Sequence, residues 1–269
     1  MEEIVKILFD KLERSDSDYT NLEVQWLYEH IGDENPEIRD SLVFISLASG
    51  LVEEKFTLEQ AEFLAKSAKE EDILFYNIQK GLPYTVTRIF AALLYGFLVR
   101  VDGDSNSSYH KFMTESERNY YLNSVLNYLK EEKDFTDFDV KYGWVHGLAH
   151  AGDYLGQVIK HPNTNREFVL EAFEIVINIF QNLEYGLTEK EEARLAFPFV
   201  EAMLENKIIQ EKLSQLVANR VFPVAKGGRH RGRFAYEKFL SAIYFALESK
   251  GILEEKLKIE LLNILKEYC

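Results

Sequence analysis

Cysteine is nearly missing from this chain: of its 269 residues only the last, Cys269, carries a thiol. A lone thiol permits no internal disulfide and excludes zinc sites built from several thiolates, so a reducing, cytoplasmic setting is expected. Basic residues are in deficit, 31 Lys and Arg against 45 Asp and Glu, for a formal net charge of -14. That balance disfavours attraction to phosphate backbones and anionic lipid, so neither nucleic acid nor a membrane is an expected partner. Long apolar runs are also missing. The longest, Ile89 to Val99, is too short to span a bilayer and reads as a buried helix. The opening residues, Met1-Glu2-Glu3-Ile4-Val5-Lys6, lack the basic start and apolar stretch of a secretory signal. No series of alternating strands bounded by hairpin turns is evident.

What the chain does have is helical periodicity. Nearly every segment repeats its apolar residues at about 3.6 positions, which predicts about a dozen helices in a single all-helical domain over residues 1–269. Breaks are expected near Gly32 to Pro36, Gly81 to Pro83, Gly103 to Ser108, His161 to Asn165 and Lys226 to Gly232. Thr114-Glu115-Ser116-Glu117 and Thr188-Glu189-Lys190-Glu191 match the capping box, and Thr57 is a further cap. The loop 102–110, rich in Gly, Asp, Asn and Ser, marks at most an internal division. Downstream, 142–160 pairs with 165–184, 188–205 with 207–221, and 234–249 with 253–267. These pairs recur at roughly the 40 to 47 residue interval of HEAT-type arrays. The segment Gly32-Asp33-Glu34-Asn35-Pro36-Glu37-Ile38-Arg39-Asp40-Ser41-Leu42 resembles the turn and second helix of such a repeat. The expected fold is therefore all-α: an irregular array of antiparallel helix pairs, a HEAT-like α-solenoid, with a concave face for partners. An irregular bundle is the alternative. Pro198 should kink or split its helix, and aromatics such as Tyr120, Tyr121, Phe173, Phe180, Phe197 and Phe199 read as packing.

Chemistry concentrates in Trp144-Val145-His146-Gly147-Leu148-Ala149-His150-Ala151-Gly152-Asp153. Spacings of i, i+4 and i+7 put His146, His150 and Asp153 within roughly 60° of arc on a continuous helix over 142–160, with Gln157 extending the line. Gly143, Gly147, Gly152 and Gly156 flank it. Each interior glycine costs about 0.5–1 kcal/mol against alanine, a cost that close helix approach would offset.

Three readings follow. His146, His150 and Asp153 could ligate a divalent metal such as zinc, giving a metal-dependent hydrolase. Position 147 is glycine where the His-Glu-x-x-His motif has its glutamate, so Glu191, Glu192 or Glu237 would have to serve as base. Alternatively, Asp153 orients His150 for acid/base work without metal, although no nucleophile is evident. In the third reading the same groups form a purely structural polar network. Arg88, a lone guanidinium among apolar residues, needs a carboxylate, carbonyl or ligand. Arg194 is either a helix-surface partner of Glu191 or an anion hook beside the histidines. The basic stretch Lys226-Gly227-Gly228-Arg229-His230-Arg231-Gly232-Arg233 is an anion clamp, for a peptide or nucleotide, or a charge run neutralised by nearby carboxylates.

Two stretches carry a family resemblance: Gly143 through Asp153, and Glu191-Glu192-Ala193-Arg194-Leu195-Ala196. Phe239-Leu240-Ser241-Ala242-Ile243-Tyr244-Phe245 adds a weaker likeness. On these residues the chain resembles the bacterial family known as domain of unknown function 2785, over most of its length after about residue 80. The resemblance implies an all-helical, array-like fold and supplies no activity. The expected function is a binding or interaction scaffold for a protein, peptide or small molecule. Its expected site is Arg88, Trp144, His146, His150, Asp153, Gln157, Arg194 and Glu237, with the metal-dependent hydrolase as alternative. Oligomeric state is left open.

Overall fold

The computed structural model describes residues 2–14, 18–183, 186–218, 220–224 and 230–266. Among these it has twelve α-helices: α1 (Glu2–Arg14), α2 (Asn21–Glu29), α3 (Ile45–Val52), α4 (Leu58–Glu70), α5 (Tyr84–Gly103), α6 (Glu115–Glu131), α7 (Gly147–Lys160), α8 (Arg166–Gln181), α9 (Glu191–Leu204), α10 (Gln210–Val217), α11 (Arg231–Ser249) and α12 (Glu255–Leu265). The all-α expectation holds, and one hydrophobic core runs from Leu8 to Leu261 across the loop 102–110. That loop is tied down from within. Asp102 is buried and accepts from the Met113 amide, the Arg118 guanidinium and His161 Nε2.

Local signals set several helix starts. Thr114 with Glu117 and Thr57 with Gln60 both close the reciprocal capping box, and Thr20 with Glu23 forms a third. Thr188 does not cap. Its hydroxyl donates to Asp137 at 2.7 Å, the helix begins at Glu191, and Lys190 precedes it in the left-handed region at φ 64. The expected box is overridden because Asp137, 51 residues away in sequence, competes for the same hydroxyl. Upstream, Glu37–Phe44 is wound as a π-helix leading into α3, a winding that sets Arg39 and Asp40 apart from an ordinary helical register.

Packing does not follow sequence neighbours. Helices α5, α7, α9 and α11 lie side by side in that order, while α4, α6 and α8, and further on α10 and α12, contact one another in a second row. Within the first row α7 is clasped on both sides. A Cβ at Gly152 would sit 2.9 Å from the carbonyl oxygen of Arg194, and one at Gly156 would touch Pro198 at 3.8 Å. Proline at 198 lacks the amide that would bond the carbonyl four residues back, which is that of Arg194. Pro198 stays inside α9 instead of splitting it, and the carbonyl left without its helical donor faces the bare backbone of Gly152.

Helix α5 is long and apolar enough to cross a membrane by length and composition, yet 78% of its apolar window is buried inside the protein. It carries Arg88, fully buried with every guanidinium nitrogen engaged. Nε donates to Glu132 at 2.6 Å, Nη1 to the carbonyls of Tyr76 and Asn77, and Nη2 to Lys80 O, Thr85 Oγ1 and Glu132 Oε1. The carboxylate and carbonyls this residue needs come from the protein itself. Arg88 is thus an anchor of α5 and is excluded from the ligand-facing set.

Two stability changes are expected. Gly152→Ala should lower unfolding free energy by about 1–3 kcal/mol, since the obstructing atoms are backbone, and Arg88→Ala by roughly 3–5 kcal/mol through the stranded Glu132 charge. Urea denaturation of the two variants checks both.

Candidate functional site

The site is built where the chain enters α7. A short hairpin precedes the helix, β1 (Phe138–Asp139) paired antiparallel with β2 (Gly143–Trp144). The Asp137 carbonyl then accepts the amides of Val145 at 2.7 Å and His146 at 3.1 Å. This double capture holds His146 at φ 50, in the left-handed region, as the residue before the first helical turn. The expected continuous helix over 142–160 is thereby corrected. His146 is not on the helical line, because hairpin pairing and Asp137 claim the backbone up to that point.

Even so, the two imidazoles meet. His146 stacks on Trp144 with ring centroids 4.8 Å apart and planes 6° apart, and His150 meets His146 edge-on at 5.9 Å and 89°. His150 also packs 5.9 Å from the Phe90 ring of α5. Asp153 accepts from Arg194 Nη2 at 2.7 Å, and His150 Nδ1 lies 3.4 Å from the same oxygen. Trp144, His146, His150, Asp153 and Arg194 thus form one row of successive contacts. The row is accessible: Trp144 is 48% exposed and the Arg194 side chain 44%.

Four participants were not among the candidates from sequence. Arg39 and Asp40, from the π-helical turn, close the side of the site next to α5. Arg39 is fully buried, with Nε 2.8 Å from Asp40 Oδ1, Nη2 2.7 Å from the Tyr142 carbonyl, and its guanidinium 4.9 Å from the Phe90 ring centroid. Burial raises the Asp40 carboxyl above its usual range, against the lowering pull of Arg39, His150 and His146. Asp137 is the third and Phe90 the fourth. The only sequence cue for Asp137 was the alternation of polar and apolar residues in Thr136-Asp137-Phe138-Asp139-Val140, a strand-like pattern inside a helical protein.

Electrostatics divide the site in two. His146 is held below the ordinary imidazole value, by burial first and by neighbouring His150 second, with Asp137 pulling the other way. Glu191, fully buried at the start of α9, is pushed up to about 7 by burial first and then by the Asp137 carboxyl within hydrogen-bond reach. Arg194 and Asp153 instead form an exposed pair, with Coulomb energy weakened by water.

The remaining expectations need correction. His146, His150 and Asp153 do not form a metal set: among the described residues no three His, Cys, Asp or Glu side chains are grouped to hold an ion. The left-handed turn takes the first imidazole off the helical row, and Arg194 occupies Asp153. Gln157 lies one turn beyond Asp153 along α7, in a separate cavity of about 340 Å³ with Arg100, Lys160 and His161. Glu192 is buried and faces Lys238 at 3.3 Å, and Glu237 pairs with Arg233 on α11. Neither reaches the imidazoles as a base. In the basic stretch, Lys226 to Arg229 lie outside the described residues, while Arg231 and Arg233 open α11.

Burial separates the two arginines of the site. Arg39→Ala should cost roughly 2–4 kcal/mol, through the space left by a fully buried side chain and the half-buried Asp40 carboxyl left without its partner, whereas Arg194→Ala should cost under about 1 kcal/mol. Thermal and urea unfolding of both variants gives the comparison, and equal losses would contradict this assignment.

In comparison with known proteins, the model of a family described as a protein of unknown function, DUF2785, matches residues 74–245. No curated protein and no solved structure matches the chain.

Proposed function

Since the chain belongs to the DUF2785 family, whose function is unknown, we propose from its geometry that it is a helical-repeat binding scaffold. Its ligand is a protein segment, a peptide or a small molecule, received on the ledge formed by Trp144, His146, His150, Asp153 and Arg194. The observation that carries this reading is the half-exposed Trp144 indole, stacked on His146 at one end of a row of contacts that runs through His150 and Asp153 to an accessible Arg194. Indole and guanidinium combine area with directed hydrogen bonding, which is why both are enriched where partners bind. The exposed Phe197, one turn beyond Arg194, extends the same row.

Repeat architecture supports the scaffold reading. Asp153 pairs with Arg194 at a sequence separation of 41, Lys130 with Glu171 at 41, Glu174 with Arg220 at 46, Glu192 with Lys238 at 46 and Glu211 with Lys256 at 45. A near-constant offset across successive helices is what stacked pairs of a HEAT-like solenoid would produce. Matching rows on α7 and α9, with Asp153 against Arg194 and Lys160 against Glu201, make those two helices parallel, as every second helix of such an array is. The ledge belongs to this row of parallel helices, the row that in an array lines the concave face.

The test is a thermal-shift screen of peptides and small metabolites against the wild-type protein, Trp144→Ala and Arg194→Ala. A ligand should raise the wild-type melting temperature and lose most of that shift in both variants, since truncating an aromatic or arginine anchor costs about 2 kcal/mol or more. Ligands whose shifts survive both substitutions would overturn the ledge as the binding site.

A further inference from the structure

Three of the six buried side-chain atoms that lack any partner among the described residues fall in one place: Asp137 Oδ1, Glu191 Oε1 and His146 Nδ1. The two carboxyls are each half satisfied. Asp137 Oδ2 accepts from Thr188 Oγ1 at 2.7 Å, and Glu191 Oε2 accepts from the Glu189 amide at 2.9 Å. The oxygen left over on each is buried, and the two carboxyls lie within hydrogen-bond reach of one another. Two facing anionic oxygens without a donor would be doubly unfavourable, through like-charge repulsion and lost hydration. One proton between them removes both penalties and satisfies both orphaned atoms.

We propose that this shared proton is a latch that fastens the segment from Asp137 to His146, bearing Trp144, onto the first turn of α9, so that the ledge is assembled while the proton is held and loosens when it leaves. Asp137 is the hub of that segment, because its carbonyl also receives the Val145 and His146 amides that set the left-handed turn. Release of the proton puts two negative charges face to face at this hub. The latch governs the ledge on which the binding reading rests, but its readout needs no ligand, so the two ideas fail separately.

The sign follows from the neighbouring charges. Glu191 titrates near neutrality, so the native state binds the extra proton between the ordinary carboxyl range and about pH 7. This contribution to stability is present at low pH and is lost as pH rises through that value. Against the pair lie the Thr188 hydroxyl and the Glu189 amide ahead of α9 and, on the hairpin side, His146, which itself feels the charges of Asp137, Glu189, Arg194 on α9 and His150 on α7. His146 is held below the ordinary imidazole value by burial and by His150, with Asp137 pulling the other way. Glu192 and Lys238 pair with each other on the α11 side.

Hydrogen exchange of the Val145, His146 and Glu189 amides, corrected for intrinsic base catalysis, tests the latch between about pH 5.5 and 8.5 in wild type and Glu191→Gln. The glutamine amide can donate permanently where the carboxyl donates only when protonated. Wild type should lose roughly tenfold or more protection across the range, and Glu191→Gln should stay flat. A pH-independent wild type, or identical profiles in the two proteins, would overturn the proposal. Carboxyl carbon NMR of glutamate-labelled wild type decides the matter even if the variant does not fold. One glutamate must titrate well above the others, and a spectrum in which all titrate in the ordinary range refutes the shared proton.

Discussion

Helix α7 can carry a cluster of polar groups because its backbone is pressed against α9 at Gly152, where an added Cβ would lie 2.9 Å from the Arg194 carbonyl. The approach depends on two residues at once. Glycine removes the side chain from one surface, and Pro198 removes the amide that would have occupied the carbonyl on the other. With the helices so close, Asp153 and Arg194 fall within hydrogen-bond distance, and Glu191 is carried to the foot of the hairpin, against Asp137 just ahead of β1. Phe90 on α5 closes the opposite side against His150. The ledge is thus a by-product of how tightly the row α5, α7 and α9 is packed.

Buried charge is handled in three different ways. Arg88 is neutralised outright by Glu132 and surrounded by carbonyls, so it fixes α5 and nothing more. Asp102 is satisfied by Arg118, His161 and the Met113 amide, whose lowering influence outweighs burial and holds its carboxyl below the usual range. In the site itself compensation is incomplete: Asp40 is raised in spite of Arg39, Glu191 is raised to about 7, and His146 is lowered. Incomplete pairing is costly in a core. Its concentration beside an exposed indole and guanidinium is what separates this region from the merely structural networks.

If the ledge binds a partner as proposed, a proton shared at its base would join stability to recognition. The segment that sets the left-handed turn at His146 also presents Trp144, and its attachment to α9 runs through Asp137 alone among the pairings described. The two proposed roles fall on different atoms: Trp144 and Arg194 are exposed, while Asp137 Oδ1 and Glu191 Oε1 are buried.

Periodicity and caps were legible in the chain because both operate within a turn or two of helix. The all-α class, the cap at Thr57, the box at Thr114, and the close approach expected of the glycines in α7 all follow from residues a few positions apart. So did the meeting of His150 with Asp153, three residues along one helix. Contacts across long separations were not legible. Arg39 reaches the Tyr142 carbonyl over 103 residues and Thr188 reaches Asp137 over 51, and nothing in a local pattern indicates either. The second contact cancelled a well-formed capping box, and the capture of two amides by Asp137 took His146 off the helical line that its spacing implied. By itself the sequence determined which segments are helical and where two of them could touch. Only the tertiary structure decided which carboxyl meets which, since that depends on burial and on partners that the chain brings together from far apart.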